Sequence, residues 1–324
     1  MTKYMIRRLL LFVPTFLLVS MGVFLALRIM PGDIATITVT GGNEPRTDIG
    51  REEAALRIKE LRKLYGLDRP VHIQYADWLW GFVRGDMGET FRGGHSVAKD
   101  LRERFPTTLE MMTIAITIST VLSILIGVIS AVYQDTWIDY LTRGGSLLAH
   151  AVPFFWVGTL VILFLVAFFD WIPPLDRAYL WEDPVRNLKQ MILPAAVLSF
   201  FGAGSSVRLV RSAMLETLRQ DYVRTARAKG LAENVVIVRH ALRNALIPIV
   251  TVKGATLVGL ISGSVIAETI FVVPGMGTLL IESINNREFI LVQGLVMLLT
   301  IMVMVVNLGV DLTYAWLNPR ITYK

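Results

Sequence analysis

Few side chains in this 324-residue chain are placed to make or break a covalent bond. Cysteine is absent, which removes thiol nucleophiles, thiolate metal ligands and disulfides. The histidines are His72, His95, His150 and His240, and no two stand at helical metal-ligand spacing. No Gly-Lys pair occurs, so the phosphate-cradling loop that ends in Gly-Lys-Ser/Thr is missing. A G-x-S-x-G nucleophile turn and an H-E-x-x-H helix are missing too. The chemistry open to this chain is therefore non-covalent: charges set in apolar surroundings, and one basic segment between apolar runs.

Charges inside a bilayer are costly and point to function. Lys253 lies about 12 Å into an apolar run at 1.5 Å per helical residue. It lines a path, pairs with a carboxylate such as Asp311, or snorkels to the interface on its long stem. Glu110 and Glu268 stand near the ends of their runs, where hydration or an arginine partner would account for them. Ala255, Gly259 and Gly263 recur every four residues, a spacing that lets helices approach closely. That closeness would serve packing within the chain or against a second, similar one, or contact with the backbone of a guest molecule.

The elements that hold these residues follow from composition. Hydrophobic residues make up 54% of the chain and charged residues 18%, and the mean hydropathy is +0.56. An ordinary soluble domain is excluded. About 20 apolar residues cross a hydrocarbon core. Six runs qualify, at 9–26, 109–133, 141–169, 191–210, 245–267 and 289–315, with Pro153 expected to kink the third. The first follows Lys3, Arg7 and Arg8 and exceeds a signal peptide's apolar stretch, so a retained anchor is expected. Between the first two runs, residues 31–105 have soluble composition. A helix is expected over 51–65, with Ala54, Ile58, Leu61 and Leu64 on one face and Gly66 as its stop. Trp78, Leu79, Trp80 and Phe82 read as packing residues.

Between the fourth and fifth runs lie Arg208, Arg211, Arg219, Arg224, Arg227, Lys229, Arg239 and Arg243, against only Glu216, Asp221 and Glu233. The positive-inside rule places this connection in the cytoplasm. Both termini then share that side, and 31–105 lies outside. The formal charge of +6 is explained by such loops without invoking nucleic acid. Within the connection, Met214–Pro248 reads as two short helices broken at Gly230, with Asp221 as a cap and Val235, Val236, Val238 and Leu242 as apolar positions of the second. A segment of this kind suits docking onto a soluble partner.

Its residues resemble the cytoplasmic coupling motif of type I ABC importer permeases, E-A-A-x3-G-x9-I-x-L-P. Ala226, Gly230 and Leu242 match the second alanine, the glycine and the leucine, while Arg224, Thr225, His240 and Arg243 depart from it. The stretches D-Y-V-R-T-A-R-A-K-G-L at 221–231 and H-A-L-R-N-A-L-I-P at 240–248 resemble the dipeptide/oligopeptide branch, whose own pattern carries these departures. Pro31-Gly32-Asp33, Leu67-Asp68-Arg69-Pro70, Gly85-Asp86-Met87-Gly88, Glu268-Thr269-Ile270-Phe271, Pro274-Gly275-Met276-Gly277 and Asn318-Pro319-Arg320 are similar to further signatures of that branch.

The resemblance implies an all-α polytopic membrane protein: an anchor at 1–30, an extracytoplasmic insertion at 31–105, a type I permease core at 106–315 and a cytoplasmic tail at 316–324. It implies that Asp221, Arg224, Thr225, Ala226, Ala228, Gly230, Leu231, His240 and Leu242, within 211–243, couple to an ATPase. The implied partners are a homologous second permease, two cytoplasmic ABC ATPase subunits that use ATP and Mg, an extracytoplasmic substrate-binding protein and the lipid bilayer. No cofactor is expected on this chain. The implied cargo is di- and oligopeptides, with nickel chelates, glutathione and oligosaccharides as rivals. An ion-coupled secondary transporter would need midplane carboxylates and inverted repeats, and neither is evident in the sequence.

Overall fold

The computed structural model describes residues 2–29, 34–40, 48–64, 66–90, 94–174 and 178–317. Pro31-Gly32-Asp33 and Asn318-Pro319-Arg320 with the end of the tail lie outside them. In chain order the helices are α1 (Thr2–Ile29), α2 (Ile34–Thr40), α3 (Asp48–Leu64), α4 (Val71–Arg84), α5 (Val97–Val132), α6 (Trp137–Ala151), α7 (Phe154–Phe169), α8 (Pro184–Leu218), α9 (Asp221–Ala228) and α10 (Glu233–Val235). A π-helical stretch (Val236–Leu242) leads into α11 (Arg243–Phe271), followed by α12 (Met276–Asn285) and α13 (Phe289–Leu317). Among the described residues the only strand-like feature is an isolated bridge between Glu89 and Ser96.

Among the described residues four helices are long and apolar enough to cross a membrane singly: α1, α5, α11 and α13. The count reaches six when two bent pairs are each taken as one span. The first pair corrects the expectation of a single kinked third span: α6 and α7 are separate helices meeting at 97°. Val152 and Pro153 are both extended, with ψ of 127° and 126°. Proline bars the residue before it from the helical region and has no N–H to continue the ladder, so the chain turns. The second bend, 50°, divides α8 between Phe200 and Gly202. Ser206 Oγ donates to the Gly202 carbonyl there at 2.8 Å, a back-bond that competes with the ladder and bends helices. Helix α8 starts where Asp183 accepts from the Arg186 N–H at 3.0 Å with Pro184 in the first turn.

The chain forms two compact units, 7–106 with 278–302, and 1–6 with 107–277 and 303–324. In the first, α4 lays Tyr75 and Trp78 against Phe24 of α1, Phe82 packs on Trp78, and the Tyr75 hydroxyl meets Ser20 Oγ at 2.7 Å. The aromatic run is a packing surface, as its composition indicates, although Trp80 faces outward under the Arg84 guanidinium. Helix α3 ends as expected, Gly66 taking φ +61°. In the second unit, Met111, Met191, Leu198, Leu260 and Phe271 centre one core where α5, α8 and α11 meet. Another forms around Ala131, Val210, Met214, Ala241 and Ile249.

Candidate functional site

The segment after α8 is short enough that every turn is set locally. The Gln220 N–H bonds the Thr217 carbonyl at 3.1 Å, and Gln220 itself is extended, which redirects the chain into α9. Gln220, and not Asp221, is the N-terminal cap. Asp221 lies one residue inside, where its carboxylate still suits the positive helix end. Helix α9 closes with the Lys229 N–H on Thr225 O at 3.1 Å and the Gly230 N–H on Arg227 O at 2.9 Å. Gly230 then takes φ +77°, a left-handed conformation that glycine adopts without strain. A Cβ at this position would meet nothing within 4 Å, so the glycine answers backbone conformation and not crowding in this chain.

Both faces of α9 have work. Val223 and Ala226 are buried with Val236 against Leu218 at the end of α8. Asp221, Arg224, Thr225, Ala228, Gly230 and Leu231 all face outward. Ala226, alone of the α9 residues expected to couple to an ATPase, is buried and seats the helix on its own subunit. Of the apolar residues expected to bury the second helix, Val236 does so, Val238 is 62% exposed, and Ala241 takes its place. His240 and Leu242 belong to the π-helical stretch: Leu242 packs towards the core around Met214, and the His240 carbonyl accepts from Asn244 Nδ2 at 3.3 Å. They stand apart from the outward group.

Two ties that sequence spacing did not suggest close the projection. Arg227 grips Glu233 with Nη2 at 2.6 Å and Nε at 3.1–3.2 Å, spanning the Gly230 turn. The guanidinium holds the Glu233 carboxyl below the usual carboxylate range. Asn244 Nδ2 donates to the Tyr222 hydroxyl at 2.8 Å, binding α9 to the start of α11. Upstream, Asp139 of α6 is fully buried and receives Arg211 of α8 in a two-point pair, Nε to Oδ1 at 2.7 Å and Nη2 to Oδ2 at 2.6 Å. Ser130 Oγ and the Asp135 N–H complete its shell at 2.6 and 3.0 Å. A lone Asp in a polar turn carries no sign of a partner 72 positions away, so this pair was missed.

The remaining charges resolve differently from expectation. Lys253 neither snorkels nor reaches Asp311: it is 8% exposed, and its ammonium donates to the carbonyl and hydroxyl of Ser119, each at 3.1 Å. Glu110, which is part-exposed, accepts from Asn187 Nδ2 at 3.0 Å. Glu268 is fully buried, so hydration does not account for it. It accepts from Thr108 Oγ1 and the Gly277 N–H, each at 2.6 Å, while Thr108 Oγ1 accepts from the Met276 N–H at 2.8 Å. The carboxylate thus holds the N-terminal turn of α12. Gly263 packs closely within the subunit, a Cβ there falling 2.9 Å from Leu198, whereas Gly259 and Ala255 lie on an open face. These residues do not converge with the α9 projection on one site.

A projecting helix, bare outside and fastened inside to α8 and α11, can pass a push from a soluble body to the helices behind it. The family of binding-protein-dependent transport system inner membrane components matches residues 123–323, and its N-terminal companion family matches residues 1–112. The Escherichia coli K12 dipeptide transport system permease protein DppB is 36% identical over an alignment of 347 residues covering both chains completely. The Pseudomonas aeruginosa (strain UCBPP-PA14) di/tripeptide transport system permease protein DppB gives the same identity and coverage. Among solved structures, an inward-facing MetNI methionine ABC transporter superposes with a TM-score of 0.53 at 18% identity. It covers 67% of this chain and 95% of that one, a likeness of fold.

Proposed function

Because this chain belongs to the family of binding-protein-dependent transport inner membrane components, we propose that it imports di- and oligopeptides as one permease of an ATP-driven heteromer. A homologous second permease completes the pathway, two ABC ATPase subunits bind ATP and Mg in the cytoplasm, and an extracytoplasmic binding protein delivers cargo. The chain is a multi-pass membrane protein. In this reading both termini and 211–243 face the cytoplasm, 31–105 lies outside, and 106–315 is the permease core.

The α9–Gly230 projection carries the proposal. Its outward residues, Arg224, Thr225, Ala228, Gly230 and Leu231, are free to enter a groove on an ATPase. Its inward residues, Val223 and Ala226, press on Leu218, the last residue of α8. Closure of the ATPase pair pushes α9. The Tyr222–Asn244 bond and Val236 then pass the movement to α11, and the Asp139–Arg211 pair links α8 to α6. Peptide cargo is supported by full-length relatives named for dipeptide and di/tripeptide transport.

Purified chain reconstituted alone should show neither ATP hydrolysis nor uptake. The complete heteromer with its binding protein should show both, with dipeptides outcompeting nickel chelates, glutathione and oligosaccharides. ATP hydrolysis by the isolated chain would refute the division of labour.

A further inference from the structure

The unit formed by residues 7–106 and 278–302 holds a half-open cavity of about 410 Å³ for which the coupling projection has no use. That volume lies in the range that takes small organic ligands. Phe24, Trp78 and Phe289 give it apolar walls, and charged side chains stand among them.

Two amides in the wall each carry a buried atom without a hydrogen-bond partner. Gln74 is 8% exposed, and its Nε2 donates to the carbonyls of Leu67 at 3.0 Å and Arg69 at 2.6 Å. Those two bonds fix which end of the amide is which, and they leave Oε1 buried without a donor. Gln293 has a buried Nε2 without an acceptor. Native interiors seldom leave such groups unmatched, because an unmade buried hydrogen bond is expensive. A guest bearing both an N–H and a C=O would satisfy the pair, and a single peptide unit is such a guest. The charges extend the match. Among the described residues Lys63 has no bonded partner, and Asp86 is engaged only through Oδ1, by the Gly88 N–H at 3.3 Å. A cation and a carboxylate among the lining residues suit a zwitterion.

We propose that this cavity is a binding site for short zwitterionic peptides, with the peptide unit between Gln74 and Gln293 and the end charges met by Lys63 and Asp86. The proposal rests on the reading of the cargo as peptide and adds a site for it on the permease itself, independent of the binding protein. A zwitterionic phospholipid headgroup shares the end charges but lacks the amide.

The test uses the assembled heteromer in phosphatidylglycerol nanodiscs without binding protein, titrated calorimetrically with dialanine. Dialanine should bind, and N-acetylalanine methylamide, which keeps the amides but loses the charges, should bind more weakly. Gln293→Leu removes no bond within the protein, and Lys63→Met keeps the stem. Each should weaken dialanine about tenfold, the effect of one lost charge-assisted or buried hydrogen bond. Unchanged affinity in both variants, or no binding to the wild type, would overturn the site. So would loss of dialanine binding when phosphatidylethanolamine is included, which would assign the cavity to lipid. Uptake is measured in the same preparation with binding protein added. If uptake persists while binding fails, the cavity proposal falls alone; if no peptide is taken up, the importer reading falls with it.

Discussion

Any side chain at position 230 would have to stand at φ +77°, a conformation that costs a non-glycine residue about 1–2 kcal/mol. A branched one would also project into whatever groove receives the loop. Gly230→Val should leave the protein in the membrane while lowering both uptake and co-purification of the ATPase subunits; normal values of both would show that the coupling loop is elsewhere. Four residues back the consequence differs. Ala226→Asp would bury a charge against Val223 and Val236 and unseat α9 by more than about 2 kcal/mol. Limited proteolysis between 219 and 230 should speed up in that variant and not in Gly230→Val. Gly230 was legible in the sequence because a left-handed helix stop is a local event. The inward aim of Ala226 was not, since it depends on where Val236 arrives after the turn. Lys253 and Glu268 were likewise legible as charges out of place, but Ser119 and Thr108 are 134 and 160 positions distant.

The helices were readable where proline or glycine punctuates them and unreadable where two elements share a charge. Pro153 announced an interruption, but two extended residues turned a kink into a 97° corner. The Asp139–Arg211 pair holds that corner's first helix to α8, with Asp139 fully buried. Breaking a buried pair strands the survivor, at a cost of about 3–5 kcal/mol, whereas replacing both partners by apolar residues is often neutral. Asp139→Leu and Arg211→Met should each lower the thermal midpoint of the detergent-solubilised heteromer, and the double variant should recover most of the loss. Additive losses would show that the two residues stabilise the fold independently. If the pair also transmits force, the double variant, although stable, should hydrolyse more ATP per peptide imported.

At the scale of the whole chain, four of the six apolar runs fall in helices that qualify singly as membrane spans and two fall in bent pairs, and boundaries moved where helices continue past the apolar stretch: α8 begins seven residues before the expected span and ends eight after it. Which side each loop occupies rests on charge. With no native cysteine, single cysteines report topology cleanly. Ser96→Cys should react with an impermeant maleimide in intact cells, and Ser212→Cys should react only after permeabilisation; both positions are exposed on the protein surface. The reverse pattern would invert the topology.

The π-helical stretch at Val236–Leu242 bears on how this chain tolerates changes in length. Bonds from i to i+5 close a ring one residue larger than those of an α-helix, so the stretch holds a surplus residue in an otherwise α-helical run. Deleting Val238, whose side chain is 62% exposed, would let the remaining residues close as ordinary α-helix with the flanks still in phase. Deleting Val258 in α11 offers no such relief. Everything beyond would swing by about 100°, and Lys253 could no longer meet Ser119 while Glu268 meets Thr108. The first deletion should yield a heteromer that still assembles on a sizing column, and the second should yield none. The coupling connection would then be a place where evolution can lengthen or shorten the chain without unthreading the bundle.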